Sequence, residues 1–178
     1  MTISEERFIE VFNLAEKHLE DRYELPVVIS DVPNPFTGDL DGAEIRVDYD
    51  LDAEEALFIL IHLFGHTVQW NLSAEDRALG AKVEANVPES RLAEIEHYER
   101  TACAYSLQLL HDLGVHDLDQ WVSDFANCDL RYLMHFYRTA EKLPFRSFWQ
   151  DGAPIVTAIP IPNFYPTRWV SRADGVVV

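Results

Sequence analysis

Residues Ala56 to Trp70 read ALFILIHLFGHTVQW, and Asp52 with Glu55 stands just before them as a capping box. The stretch predicts a helix that is apolar around nearly its whole circumference, and such a helix belongs at the centre of a molecule. His62 and His66 are four residues apart on it, so their side chains project from one face, one turn apart, where two imidazoles can share a metal. Two buried imidazoles need partners for four ring nitrogens, and one metal ion satisfies two of them at once. Gly65 lies between them. A glycine in a helix interior costs about 1 kcal/mol relative to alanine, so a close approach by another backbone is expected there.

A second helix, from about Ser90 to Leu113 with Gly114 to end it, poses a matching problem. Leu92, Ile95, Glu99, Ala102, Ser106, Leu109 and Leu113 fall on one of its faces by steps of three and four, and Glu99 is the only ionisable member. A carboxylate inside an apolar stripe costs several kcal/mol unless it is paired or coordinates a cation. Three buried groups with one shared solution make His62, His66 and Glu99 a candidate metal site, with a divalent ion, zinc first, as the cofactor.

The rest of the chain frames these two helices. Thr2 and Glu5 read as a capping box for a helix reaching about Tyr23, with Phe8, Val11, Phe12, Ala15 and Leu19 at helical spacing. Pro26 to Ser30 and Glu44 to Asp50 read as strands, separated by a turn-rich loop, DVPNPFTGDLDG. Ser73 to Glu89 is a polar stretch. A further helix runs from Asp117, with Gln120 as its box partner, to about Lys142, where Pro144 closes it. Pro154, Pro160, Pro162 and Pro166 sit among Ile, Phe, Tyr and Trp, which predicts an extended segment packed on the surface. The fold class is α+β and mainly helical, with a small sheet. One domain is expected over 1–178: a core to 114, an added helix over 115–143 and an extended segment over 144–178.

Of 178 residues 48% are apolar, so disorder is not the main state; 14 basic against 31 acidic residues give a net charge of -17, which opposes nucleic-acid phosphates and anionic membranes. No nucleic-acid or membrane partner is expected. The start, MTISEERFIE, carries acid where a secretory signal carries basic residues, so a cytoplasmic location is expected, with Cys103 and Cys128 reduced and buried.

His62 to Asn71, HLFGHTVQWN, resembles the active helix of zincin metallopeptidases, whose HExxH motif is often HELGH in the ImmA/IrrE-type group. Glu99 to Leu110, ERTACAYSLQLL, is similar to that group's third-ligand helix, of the form E-x-x-A-x-x-F-A-x-x-L-L. The resemblance covers residues 5 to about 113. It implies a zincin-like fold with His62, His66 and Glu99 as the metal ligands. The family's general base is the Glu directly after the first His, and here that position is Leu63, which cannot accept a proton. Glu96 is the nearest alternative carboxylate by helical angle from Glu99.

The expected function is therefore a zincin-like metal-binding domain without ordinary peptidase activity, acting in protein or peptide binding or in another metal-dependent reaction. Two alternatives stand beside it. One is an active metalloenzyme, either a hydrolase with a substitute base or a non-haem Fe(II) enzyme, which also uses two His and one carboxylate. The other is a metal-free interaction scaffold whose Trp- and Tyr-bearing C-terminal segment is the contact surface.

Overall fold

The computed structural model describes residues 3–33, 36–81, 86–170 and the backbone of 176–177. The apolar helix is α2 (Ala53–Leu72), capped by Asp52, which accepts a hydrogen bond from Glu55 N as the capping box requires. Thirteen of its residues, from Leu57 to Trp70, are buried. Against it pack α1 (Glu5–Tyr23), α4 (Glu89–Asp112) and the sheet. Ser4 caps α1 by accepting from Arg7 N; Thr2, expected in that role, lies outside the described residues.

The sheet has the order β1-β3-β2-β4, with β1 at Val27–Ser30, β2 at Gly38–Leu40, β3 at Ile45–Asp48 and β4 at Val176–Val177. β1 is parallel to β3, from Val27 opposite Ile45 to Ser30 opposite Asp48. β2 is antiparallel to both of its neighbours, pairing Leu40 with Ile45 on one side and with Val176 on the other. β2 lies inside the stretch read as a loop. Its Gly and Asp residues disguise it, and it is a strand because β3 supplies the ladder. β3 ends at Asp48, two residues earlier than expected, and Tyr49 beyond it is 59% exposed.

The polar stretch after α2 contains a short helix, α3 (Ala74–Gly80), capped by Ser73. The last long helix, α5 (Asp119–Thr139), starts two residues later than expected, without a side-chain cap. Asp117 is not its cap because both carboxylate oxygens accept from the Arg7 guanidinium, at 3.0 and 2.7 Å. Ala140, at φ 61°, ends α5 before Pro144 is reached. A single 3-10 turn follows at Phe145–Phe148.

From Ala153 the chain runs extended across α5, α4, α1 and the end of α2. Ala153 N donates to Asp124, Val156 N to Ser123, Ile159 N to the Ala104 carbonyl and Thr167 N to Asn71. Phe164 stacks on Tyr23 at 5.2 Å between ring centres. Cys103 and Cys128 are buried free thiols. Among the described residues no helix is long and apolar enough to cross a membrane.

Candidate metal centre

α2 and α4 cross where each has its smallest surface. A Cβ placed on Gly65 would lie 2.2 Å from the Ala102 carbonyl oxygen, so the expected backbone approach is made by the helix that carries Glu99. Ser106 Oγ donates to the Ile61 carbonyl at 2.8 Å and fixes the relative height of the two helices. That contact brings Glu99 opposite the two imidazoles. His62 is 2% exposed, His66 2% and Glu99 8%.

The donor atoms converge. His62 Nε2 and His66 Nε2 are 3.0 Å apart, and Glu99 Oε2 lies 3.2 Å from the second and 3.5 Å from the first. A tetrahedral ion with bonds of about 2.0–2.1 Å spaces its ligand atoms about 3.3 Å apart. The three separations fit one face of that tetrahedron, so this buried His-His-Glu cluster could bind a divalent metal.

The orientation of His66 is set from behind. Gln69 Nε2 donates to the Tyr98 carbonyl at 2.9 Å, which turns Gln69 Oε1 toward the imidazole. An amide oxygen only accepts, so His66 Nδ1, 2.9 Å away, carries the proton and donates it. In the neutral ring Nε2 is then a lone pair aimed into the cluster. Glu99 aims a second. A positive centre must lie between these and His62 Nε2, either a proton on His62 or a metal ion.

The electrostatics agree. Burial opposes a charge on His62, but Cys103, Glu99 and Asp129 around the ring outweigh it and hold its pKa well above the ordinary value. Burial also opposes the Glu99 carboxylate, and positive charge on the His66 and His62 side, carried by the rings when they are protonated, outweighs it and holds its pKa down at about 2.

Asp129 on α5 is a fourth member that the sequence reading passed over. Its Oδ2 lies 3.9 Å from His62 Nε2, with 19% of the side chain exposed. Burial pushes its pKa up to about 6, only partly countered by His62. The signal was available. Val122, Phe125, Asp129 and Leu133 form an apolar stripe on α5 in which Asp129 is the only ionisable residue, the same pattern that singled out Glu99.

Neither Leu63, directly after the first His, nor Glu96 stands beside the cluster. Leu63 is fully buried and packs, with Ile59, against the Cα of Gly38 in β2. Glu96 is half-exposed and paired with Arg100 at 2.8 Å. A second grouping, His111, His116 and Asp119, lies at the turn between α4 and α5. There His116 is exposed, and a 2.9 Å hydrogen bond from His111 to Asp119 ties the end of one helix to the start of the next.

The cluster opens on a cavity of about 470 Å³ between α2, β2, α4 and α5. His62, His66, Glu99 and Asp129 line its floor, and Phe58, Phe125, Tyr132, Leu133 and Phe136 are among its walls. Leu63 is not among the lining residues. Comparison with protein-family models, with curated proteins and with solved structures gave no match to this chain.

Proposed function

We propose that this chain is a zincin-like domain of the ImmA/IrrE type that binds one zinc ion through His62, His66 and Glu99 and does not carry out ordinary peptide hydrolysis. The convergence of three donors at tetrahedral spacing, with the His66 tautomer fixed by Gln69, carries the reading. A borderline set of two nitrogens and one oxygen favours zinc. When bound, such an ion supplies Lewis acidity at the cavity floor. The surrounding residues restrict the chemistry open to it. Leu63 offers no proton acceptor, and β2, which borders the cavity, is paired on both sides and presents no free edge for an extended peptide to join.

The test is metal analysis of untagged protein purified without chelator under anaerobic conditions, which also separates zinc from Fe(II). One zinc per chain is expected, lost on His62→Ala or His66→Ala and weakened on Glu99→Gln, with peptide hydrolysis at background. Substoichiometric metal unaffected by these substitutions would overturn the metal centre. Strong, chelator-sensitive peptidase turnover would overturn the rest.

A second reading rests on Asp129. Its carboxylate stands beside the cluster in the same cavity, so Asp129 Oδ2 can take a proton from a molecule bound there. This makes the domain a metalloenzyme with its base on a different helix from the one that carries the histidines. Asp129→Asn then abolishes turnover while zinc content stays at one per chain.

A further inference from the structure

The cavity is large enough for a drug-sized molecule, falling within the roughly 300–1,000 Å³ of small-molecule sites. Its walls are aromatic and aliphatic, and its ionisable groups are concentrated at the floor. Glu55 faces it from one turn of α2, while Lys142 lines only the rim, exposed and 5.8 Å above the Phe136 ring. A peptide backbone needs a partner for each amide, and these walls supply few. The neighbouring strand, β2, is paired on both sides. The occupant is therefore small and apolar.

The floor selects its polar end. A divalent ion brings two positive charges, and Glu99 and Asp129 bring two negative ones, so with neutral imidazoles the floor carries no net charge. Glu55 makes the surroundings more negative still. A carboxylate entering here would lose its hydration and gain no net attraction. Without Asp129 the same floor would be positive and would welcome an anion.

We infer that the cavity binds a small aromatic or aliphatic molecule whose uncharged polar end, a hydroxyl or carbonyl, meets the His62–His66–Glu99 cluster, and that Asp129 excludes a carboxylate end. The inference rests on the metal-centre reading for the donor that meets the polar end. The apolar walls and Asp129 are independent of it.

Calorimetric titration of the zinc-loaded protein with phenylbutanol, phenylbutyrate and butanol tests it. Phenylbutanol should bind one per chain, with phenylbutyrate and butanol each at least about tenfold weaker. Asp129→Asn should bring phenylbutyrate to within about threefold of the alcohol. Leu133→Trp, which adds bulk to the cavity wall, should weaken phenylbutanol at least about tenfold while zinc content is unchanged. Phenylbutyrate binding as tightly as the alcohol, an apolar peptide amide binding more tightly than either, or no effect of Leu133→Trp would overturn the inference. Zinc at one per chain without phenylbutanol binding would sink it and leave the metal centre standing. Phenylbutanol selectivity in a chain that takes up no zinc would do the reverse.

Discussion

Gly65→Ala is a single methyl group placed where two helices touch. The new carbon would sit 2.2 Å from the Ala102 oxygen, 2.7 Å from its carbonyl carbon and 2.9 Å from its Cα. Nonbonded carbon contacts relax only near about 3.5 Å, so α2 and α4 must part by about 1 Å. All three atoms are backbone, and no rotamer change relieves them. Overpacking of this kind costs about 1–3 kcal/mol, and the backbone clash places it at the upper end. Alanine returns about 1 kcal/mol of helix propensity. The net loss of about 2 kcal/mol lowers Tm by about 4–8 °C for a domain of this size. The effect on the metal centre is directional. His62 and His66 share α2, so their 3.0 Å separation survives, whereas the 3.2 and 3.5 Å separations to Glu99 span the two helices and open by about the same 1 Å. Zinc affinity should fall at least about tenfold. Thermal unfolding by circular dichroism and zinc competition against a chromophoric chelator measure both. Unchanged Tm with unchanged affinity would refute the reasoning, and rescue by Ala102→Gly would show that a side chain rather than the backbone sets the approach.

Gln69→Leu removes the acceptor behind His66 and leaves the ring free to take either tautomer, so zinc affinity should drop about 10–100-fold with little change in fold, as read by chelator competition and circular dichroism. Because the His62 pKa is raised, a proton competes with metal to higher pH than at an ordinary histidine. Zinc affinity should therefore keep rising as pH increases above about 6.5, and a flat affinity profile from about pH 6 to 8 would contradict the account. Leu63→Glu sets a carboxylate against Gly38 rather than in the cavity, so it should cost several kcal/mol in urea unfolding and gain no peptidase activity. The Cys128 thiol is pushed up to about 11 by burial, so its alkylation by iodoacetamide at about pH 8 should be much slower than that of glutathione.

The central helix, its cap and the three donors were legible because each breaks a pattern: ionisable groups at apolar positions, and glycine where alanine would be cheaper. The α4 stripe could be counted from sequence, and Gly65 pointed to the contact that aligns it. Asp129 escaped because the same count was not carried to α5. β2 was illegible for a different reason. A three-residue strand of Gly, Asp and Leu has little propensity of its own and exists through partners near Ile45 and Val176, which local patterning cannot see. The cap of α5 was misplaced because Asp117 has a stronger claim from Arg7, 110 residues away.

The extended segment also bears on how the chain reaches this structure. Asn71 spends its whole side-chain capacity on one junction. Its amide nitrogen donates to the Gly42 and Thr67 carbonyls, and its oxygen accepts from Thr167 N and Trp169 Nε1. The last two partners are 96 and 98 residues away. Arg77 lies over the Trp169 ring at 3.7 Å and closes the same junction. Contacts of such sequence separation carry a large loop-closure entropy and form slowly, whereas the Ser106–Ile61 bond at the α2–α4 crossing joins residues only 45 apart. Refolding should accordingly be biphasic, with helical signal and zinc-site assembly ahead of the burial of Trp169. The cluster is then complete while the strap that ties the end of α2 to the sheet is still open.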